Sequence, residues 1–417
     1  MKYSIFSLAR NALTDHKNWP QAWRSPDPKP EYDVVIIGGG GHGLATAYYL
    51  AKEHGISNVA VIEKGWIGGG NTGRNTTIIR SNYMIEPNAH FYEKAMQLWE
   101  GLSQELNFNQ MVSQRGVLNL AHSDPQLDAF ARRGNTMRLN GIDAETLTRE
   151  QIQEMVPLLD CSHQTRYPVM GGLIQRRGGT ARHDAVAWGY ARGADSHGVD
   201  IIQNCEVTGI RRDGDKVVGV ETSRGYIGAK KIGFAVAGNS SRIAAMVDMR
   251  LPMESHVLQA MVTEPIKPML DTVVTSGAAH CYISQTDKGE LVFGGDLDFY
   301  NSYAQRGNLP LIGHVVQAAV TLFPCVSRLR LMRTWGGVMD MTMDGSPIIC
   351  KMPIKGLYMN GGWCYGGFKA TPGSGWVFAH TIANDEPHPL NAAFTLDRFH
   401  KGYLIDEKGV GASPKSH

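Results

Sequence analysis

The sequence predicts an α/β fold, in which a Rossmann-like βαβ core is combined with a discontinuous α+β domain on a mainly antiparallel sheet. Three observations carry this. A glycine run, "GGGGHG" at residues 38–43, lies between a buried apolar strand and a helix. A second apolar strand follows that helix and ends in an acid. Further on, short strands bounded by turn residues alternate with helical segments, and a last glycine-rich block again reads strand, loop, helix.

Residues 1–31 read as an extended arm, closing in the proline-spaced "RSPDPKPEY". Residues 34–37, Val-Val-Ile-Ile, form the continuous β-branched run that a strand buried on both faces requires. Residues 44–51 are helical in character and Gly55 stops them; residues 59–62 give the second buried strand, with Glu63 behind it. Isolated strands follow at "RGVLNLAHS" (115–123) and "GGLIQRRGG" (171–179). Residues 184–238 read as a helix, a strand and a meander turning at Asp213-Gly214, and residues 252–300 as alternating strands turning at Asp287-Lys288-Gly289. At 417 residues two domains or one interleaved pair are expected. The division this pattern suggests is an arm (1–31), a nucleotide-binding domain from 32–95, 180–245 and 331–417, and a substrate domain from 96–179 and 246–330.

Composition narrows the function classes. With 42% hydrophobic and 19% charged residues the chain can bury a sizeable core. A formal charge of +2 gives no electrostatic case for nucleic acid or an anionic membrane as partner. The six cysteines are scattered without any C-x-x-C spacing, so neither a zinc site nor a disulfide framework is expected and no metal is called for. The N-terminal segment is too polar for a signal peptide, and no stretch approaches the ~18 apolar residues of a membrane span. A cytoplasmic protein is the expectation.

The glycine run satisfies G-x-G-x-x-G. Gly38 permits the tight turn, Gly40 lets the backbone approach a pyrophosphate, and Gly43 lets helix pack on sheet. The N–H groups of Gly41 and His42 then belong to a helix N-terminus, where donors and the dipole favour phosphate. Glu63, 20 residues beyond Gly43, stands where a carboxylate accepts from ribose hydroxyls and disfavours a 2′-phosphate. Two further glycine-rich stretches, "GGGNTGRNTTIIRS" (68–81) and "NGGWCYGGFKATPGSG" (360–375), offer more backbone to an extended cofactor, which favours FAD over NAD.

The pattern "VVIIGGG" with "VIEKG", together with "IGFAVAG", "MDGSPII" and "GGFKATPGSG", resembles the D-amino-acid-oxidase/sarcosine-oxidase flavoproteins from about residue 31 to the end. Longer runs such as "RNTTIIRSNY", "SQRGVLNLAHS" and "RTWGG" are most similar to the catalytic chains of that family's heterotetrameric branch. The resemblance implies a glutathione-reductase-type FAD domain and non-covalent FAD, because the position of the cysteine that tethers FAD in monomeric members is Gly337 here. It implies oxidation of the N-methyl group of sarcosine, with electrons passing to a covalent FMN and on to O₂. It further implies alpha, gamma and delta partner subunits, the alpha subunit carrying NAD and tetrahydrofolate. Proline, an opine or dimethylglycine are the substrates of related enzymes and stay open as alternatives; a non-catalytic flavin scaffold and an NAD dehydrogenase are the readings from other classes.

By the same resemblance Arg80 and Lys369 bind the substrate carboxylate, Asn71, Thr76 and Ile78 contact FAD, Val207 contacts its adenine through the backbone, and Gly366 lies in the late cofactor loop. Chemistry agrees for the cations: a guanidinium fork matches two carboxylate oxygens, and a lysine adds a point charge. Arg182-His183-Asp184, in "GGTARHDAVAW", matches the family's FMN-attachment segment, which makes His183 the expected site of the covalent bond, with Arg182 favouring an electron-rich flavin. Without the resemblance, His183 reads as a packing histidine at a helix start. Lys288 is expected to be an exposed turn residue.

Overall fold

The computed structural model describes residues 4–17, 21–298 and 300–407. Strands β1 (Glu31–Ile37), β2 (Val59–Ile62), β3 (Ile78–Ile79), β4 (Val117–Ala121), β5 (Glu145–Thr148), β6 (Gly171–Gln175), β7 (Gly179–Thr180), β8 (Asp200–Ile202) and β9 (Val207–Asp213) lie in the first half. Strands β10 (Lys216–Thr222), β11 (Gly225–Phe234), β12 (Met253–Pro265), β13 (Val273–Ser276), β14 (Cys281–Gln285), β15 (Glu290–Leu297), β16 (Leu331–Thr342), β17 (Ile348–Lys351) and β18 (Leu357–Gly361) complete the set. The helices are α1 (Ile5–Leu13), α2 (Gly41–His54), α3 (Glu86–Glu105), α4 (Asp124–Leu139), α5 (Arg149–Met155), α6 (His183–Ser196), α7 (Ser240–Ala245), α8 (Leu309–Leu322), α9 (Gly367–Asn384) and α10 (Arg398–Lys401).

One sheet runs β17-β18-β11-β1-β2-β8, parallel from β18 to β8 with β17 antiparallel at the edge, and with β9 and β10 joined to β11 as an antiparallel meander. β1 is buried on both faces, as its β-branched run requires. Val34 and Ile36 join the core under α2, α6 and α9, whereas Val35 and Ile37 join the one under the meander and α7. Gly55 closes α2 in the left-handed region at φ 66°.

The second sheet runs β16-β12-β15-β14-β13-β4-β6-β5 and is antiparallel except for β4–β13. Alternation divides its two faces: Leu118, Leu120, Val274, Met261 and Ile283 pack with α5 and α8, while Asn119, Thr275, Ala260 and Tyr282 line the central cavity. The site is therefore walled by both sheets.

Three expectations need amending. The arm contains a helix, α1, capped by Ser4 Oγ accepting from the Ser7 N–H; its pattern is amphipathic, but it buries nothing. The remainder of that expectation, residues 1–3 and 18–20, lies outside the described residues, as do 408–417 of the last segment. The boundary at 331 separates β16 from its sheet: β16 pairs with β12 from Met253↔Thr342 to Thr263↔Leu331, so that sheet continues to Thr342. The boundary at 95 falls inside α3, which packs on α9.

Candidate active site

A cavity of about 1440 Å³ runs between the sheets, larger than the roughly 300–1,000 Å³ of ordinary small-ligand pockets. Gly38, Gly40, Gly41, His42, Glu63 and Val207 line it, as do Asn71, Thr76 and Ile78; Arg80 and Lys369 line it too, near enough that the Arg80 charge acts on the Lys369 ammonium.

The glycine cradle exists because side chains do not fit. Gly38 has φ 109°, and a Cβ there would lie 2.5 Å from the Ala235 carbonyl oxygen. Gly43 is outside the cavity and serves packing: its Cβ would lie 2.0 Å from the Gly38 carbonyl oxygen. Glu63 braces the turn, accepting from the Gly39 and Gly65 N–H groups at 2.9 Å each, and keeps carboxylate lone pairs for a ribose. Thr72 Oγ1 accepts from the Gly41 N–H at 3.0 Å, fastening the second glycine stretch to the first. The Gly40, His42 and Gly43 N–H groups have no acceptor among the described residues. An anionic pyrophosphate fits that 14-residue helix start.

The His42 ring does more than the fingerprint suggests. Its Nε2 meets the Gly367 carbonyl at 2.9 Å, its Nδ1 meets Ser374 Oγ, and its face packs 4.9 Å from Trp363. Burial lowers its pKa to about 4, and the Gly367 carbonyl only partly offsets this. A carbonyl only accepts, so Nε2 carries the proton and the Ser374 hydroxyl donates to Nδ1. The ring locks α2 to α9.

Lys369 is 6% exposed and donates from Nζ to the Tyr365 carbonyl at 2.7 Å. Burial, and then the Arg80 charge, push its ammonium well below the ordinary lysine range. Trp99 Nε1 holds the Lys369 carbonyl at 2.8 Å, fixing the first turn of α9 to α3. Arg80 Nη1 donates to Asn82 Oδ1, and its guanidinium lies 5.6 Å from the Tyr83 ring centre. Ser81 pins that loop, its N–H on Gln175 Oε1 and its hydroxyl on Glu93 Oε2, both at 2.9 Å. Asp340, fully buried on β16, accepts from the Gly362 and Trp363 N–H groups and from Ser240 Oγ, which ties the late glycine loop to the second sheet.

Sequence reasoning missed other groups lining this cavity: Arg133 from α4, Tyr282 from β14, Tyr365, and Asp406 with Glu407 from the C-terminal segment. Glu407 reaches it by accepting from the Met84 and Ile85 N–H groups ahead of α3. Tyr365 lies within the late glycine-rich stretch; no motif surrounds the others, and tertiary packing gathers them. Gly366, expected to touch cofactor, lies off the cavity, where a Cβ would meet Tyr92 Oη at 2.0 Å; its neighbours Tyr365 and Gly367 take the lining role. Lys288 is exposed, as expected.

Arg182 and His183 lie outside this cavity, at the start of α6. Arg182 Nε donates to Asp184 Oδ1 at 3.0 Å, so its charge is shared with a carboxylate. His183 Nδ1 is buried with no hydrogen-bond partner. Burial first, and then the Arg182 charge, hold the imidazole below its ordinary range against the pull of Asp184. A neutral ring with an unclaimed buried nitrogen is what a bond to another group requires. No cluster suited to a metal ion occurs among the described residues, nor any helix long and apolar enough to cross a membrane.

A nucleotide cradle opening onto a cation-lined chamber between a parallel and an antiparallel sheet defines a cofactor-dependent oxidoreductase. The model of the DAO family of FAD-dependent oxidoreductases matches residues 33–381, and the chain belongs to that family. It is 65% identical over 417 residues, covering all of both chains, to sarcosine oxidase subunit beta of Rhizobium meliloti (strain 1021). It is 56% identical over 390 residues to the same subunit of an Arthrobacter species, covering 94% of this chain and 96% of that one. Among solved structures, L-proline dehydrogenase from P. horikoshii superimposes with a TM-score of 0.84 at 28% identity, covering 91% of this chain and 100% of the other.

Proposed function

We propose that this chain is the FAD-binding catalytic subunit of a cytoplasmic two-flavin oxidase that demethylates sarcosine to glycine. The observation that carries the reading is the pairing of Arg80 and Lys369 in the glycine-lined cavity, in a chain 65% identical to a sarcosine oxidase subunit beta. The guanidinium and the buried ammonium bind the substrate carboxylate and leave the N-methyl group directed along the cavity. Gly38, Gly40, Gly41, Glu63 and the 71–78 segment hold FAD without a bond, and His183 holds FMN through its ring nitrogen. Held there, FAD would supply a hydride acceptor for the N-methyl carbon, and FMN a route for the electrons to O₂. The chain's own part is to orient the carboxylate, with Tyr282 and the C-terminal residues Asp406 and Glu407 completing the cavity wall.

The relatives are named as beta subunits, which supports a complex with other subunits; we take these, from the sequence resemblance alone, to be alpha, gamma and delta chains, with NAD and tetrahydrofolate on alpha. Proline is the second substrate reading, because the likeness to L-proline dehydrogenase is high and its secondary amine and carboxylate suit the same two cations. The test is anaerobic addition of sarcosine or L-proline to the assembled complex. Sarcosine is expected to bleach the flavin at a lower concentration than proline and to release formaldehyde when folate is omitted. Bleaching by proline alone would transfer the reading to a proline dehydrogenase.

A further inference from the structure

Arg133, on α4, lines the same cavity, from a part of the sequence remote from Arg80 and Lys369. Among the described residues its guanidinium has no hydrogen bond and no ion pair. It lies within the field of Arg80, and its nearest anionic influence is Glu407, whose carboxylate is already held by the Met84 and Ile85 N–H groups. Two guanidinium groups side by side repel, and in a partly dry cavity the repulsion is stronger than in water. An anion between them reverses the sign of that interaction.

The other two cations are already engaged. Arg80 gives one arm to Asn82 and stacks by Tyr83, and the Lys369 ammonium bonds the Tyr365 carbonyl. Of these three cations, Arg133 is the one whose fork is unengaged among the described residues. We propose that Arg133 is a further substrate-binding residue, closing on the substrate carboxylate opposite Arg80, so that the carboxylate is clasped between elements of the two sheets' domains. The proposal rests on the functional reading above in taking that substrate to be an amino-acid carboxylate.

The test uses R133Q and R133K in the assembled holoenzyme, with acetate as an unreactive carboxylate and acetamide as its neutral twin, each followed by the flavin absorption change. Loss of one charge-assisted fork is expected to raise the Kd for acetate and the KM for sarcosine about 10-fold to 100-fold, with kcat within about threefold. Acetamide binding should not move, and R133K should recover part of the loss. Unchanged acetate Kd and sarcosine KM in R133Q would overturn the proposal, as would equal weakening of acetate and acetamide, which marks a structural role. Where R133Q fails to assemble, R133M is read in the same way. Failure of the wild-type complex to oxidise sarcosine defeats the substrate reading instead; acetate binding still decides the role of Arg133.

Discussion

His42 and His183 stand in similar surroundings and have opposite fates. Each opens a helix beside a glycine-rich stretch, each is half-buried, and burial holds each imidazole below its ordinary range. Both nitrogens of His42 are taken, one by the Gly367 carbonyl and one by the Ser374 hydroxyl, so the ring is a fastener between α2 and α9. His183 keeps a buried Nδ1 with no partner. A buried polar nitrogen left unsatisfied costs stability unless something else claims it. The difference lies in hydrogen-bond accounting rather than in local sequence.

The largest effect expected follows from removing the unclaimed ring. H183A should lose all covalently held flavin while retaining FAD, and its unfolding free energy should stay within ~1 kcal/mol, since no hydrogen bond is lost. Quantifying flavin before and after acid precipitation, with urea unfolding alongside, checks both halves. Next comes H42A, which deletes two hydrogen bonds and a ring against Trp363. A cost of about 2–4 kcal/mol is expected, with covalent flavin unaffected. The wild type adds a signature in pH. Between about 6.5 and about 4 the unfolded His42 is protonated and the folded one is not, so stability should fall as pH drops through that window, less steeply in H42A.

Smaller still is E63Q. The amide keeps an acceptor for one of the two glycine N–H groups but loses the charge, and FAD affinity should weaken about tenfold by equilibrium dialysis. The mildest is a pH effect on ligand binding. Because burial and then the Arg80 charge depress the Lys369 ammonium, it loses its charge below the ordinary lysine range; acetate affinity should fall as pH rises and be flatter in K369M.

Much of the cofactor half was legible because its rules are local. β2 lies where the apolar run puts it, Gly55 ends α2 as a left-handed cap, and Gly38 and Gly43 of the fingerprint are required by contacts under 3 Å. The substrate half was legible in kind but not in membership. Arg133, Tyr282 and Glu407 come from three distant segments, and no spacing links them before the sheets bring them together. β16 looked like the start of the last cofactor segment, but its hydrogen bonds run along β12, and pairing partners leave no trace in a single strand's pattern. The α1 helix was missed for the converse reason: its amphipathic pattern is short and finds no surface in this chain to pack on.

The most direct test is mass spectrometry of the denatured, digested chain purified with its partner subunits. The account predicts a flavin mononucleotide mass on the peptide carrying His183, none on any peptide carrying His42, and FAD released intact. An unmodified His183 peptide, with all flavin released on denaturation, would contradict the two-flavin reading and make His183 a packing residue of α6.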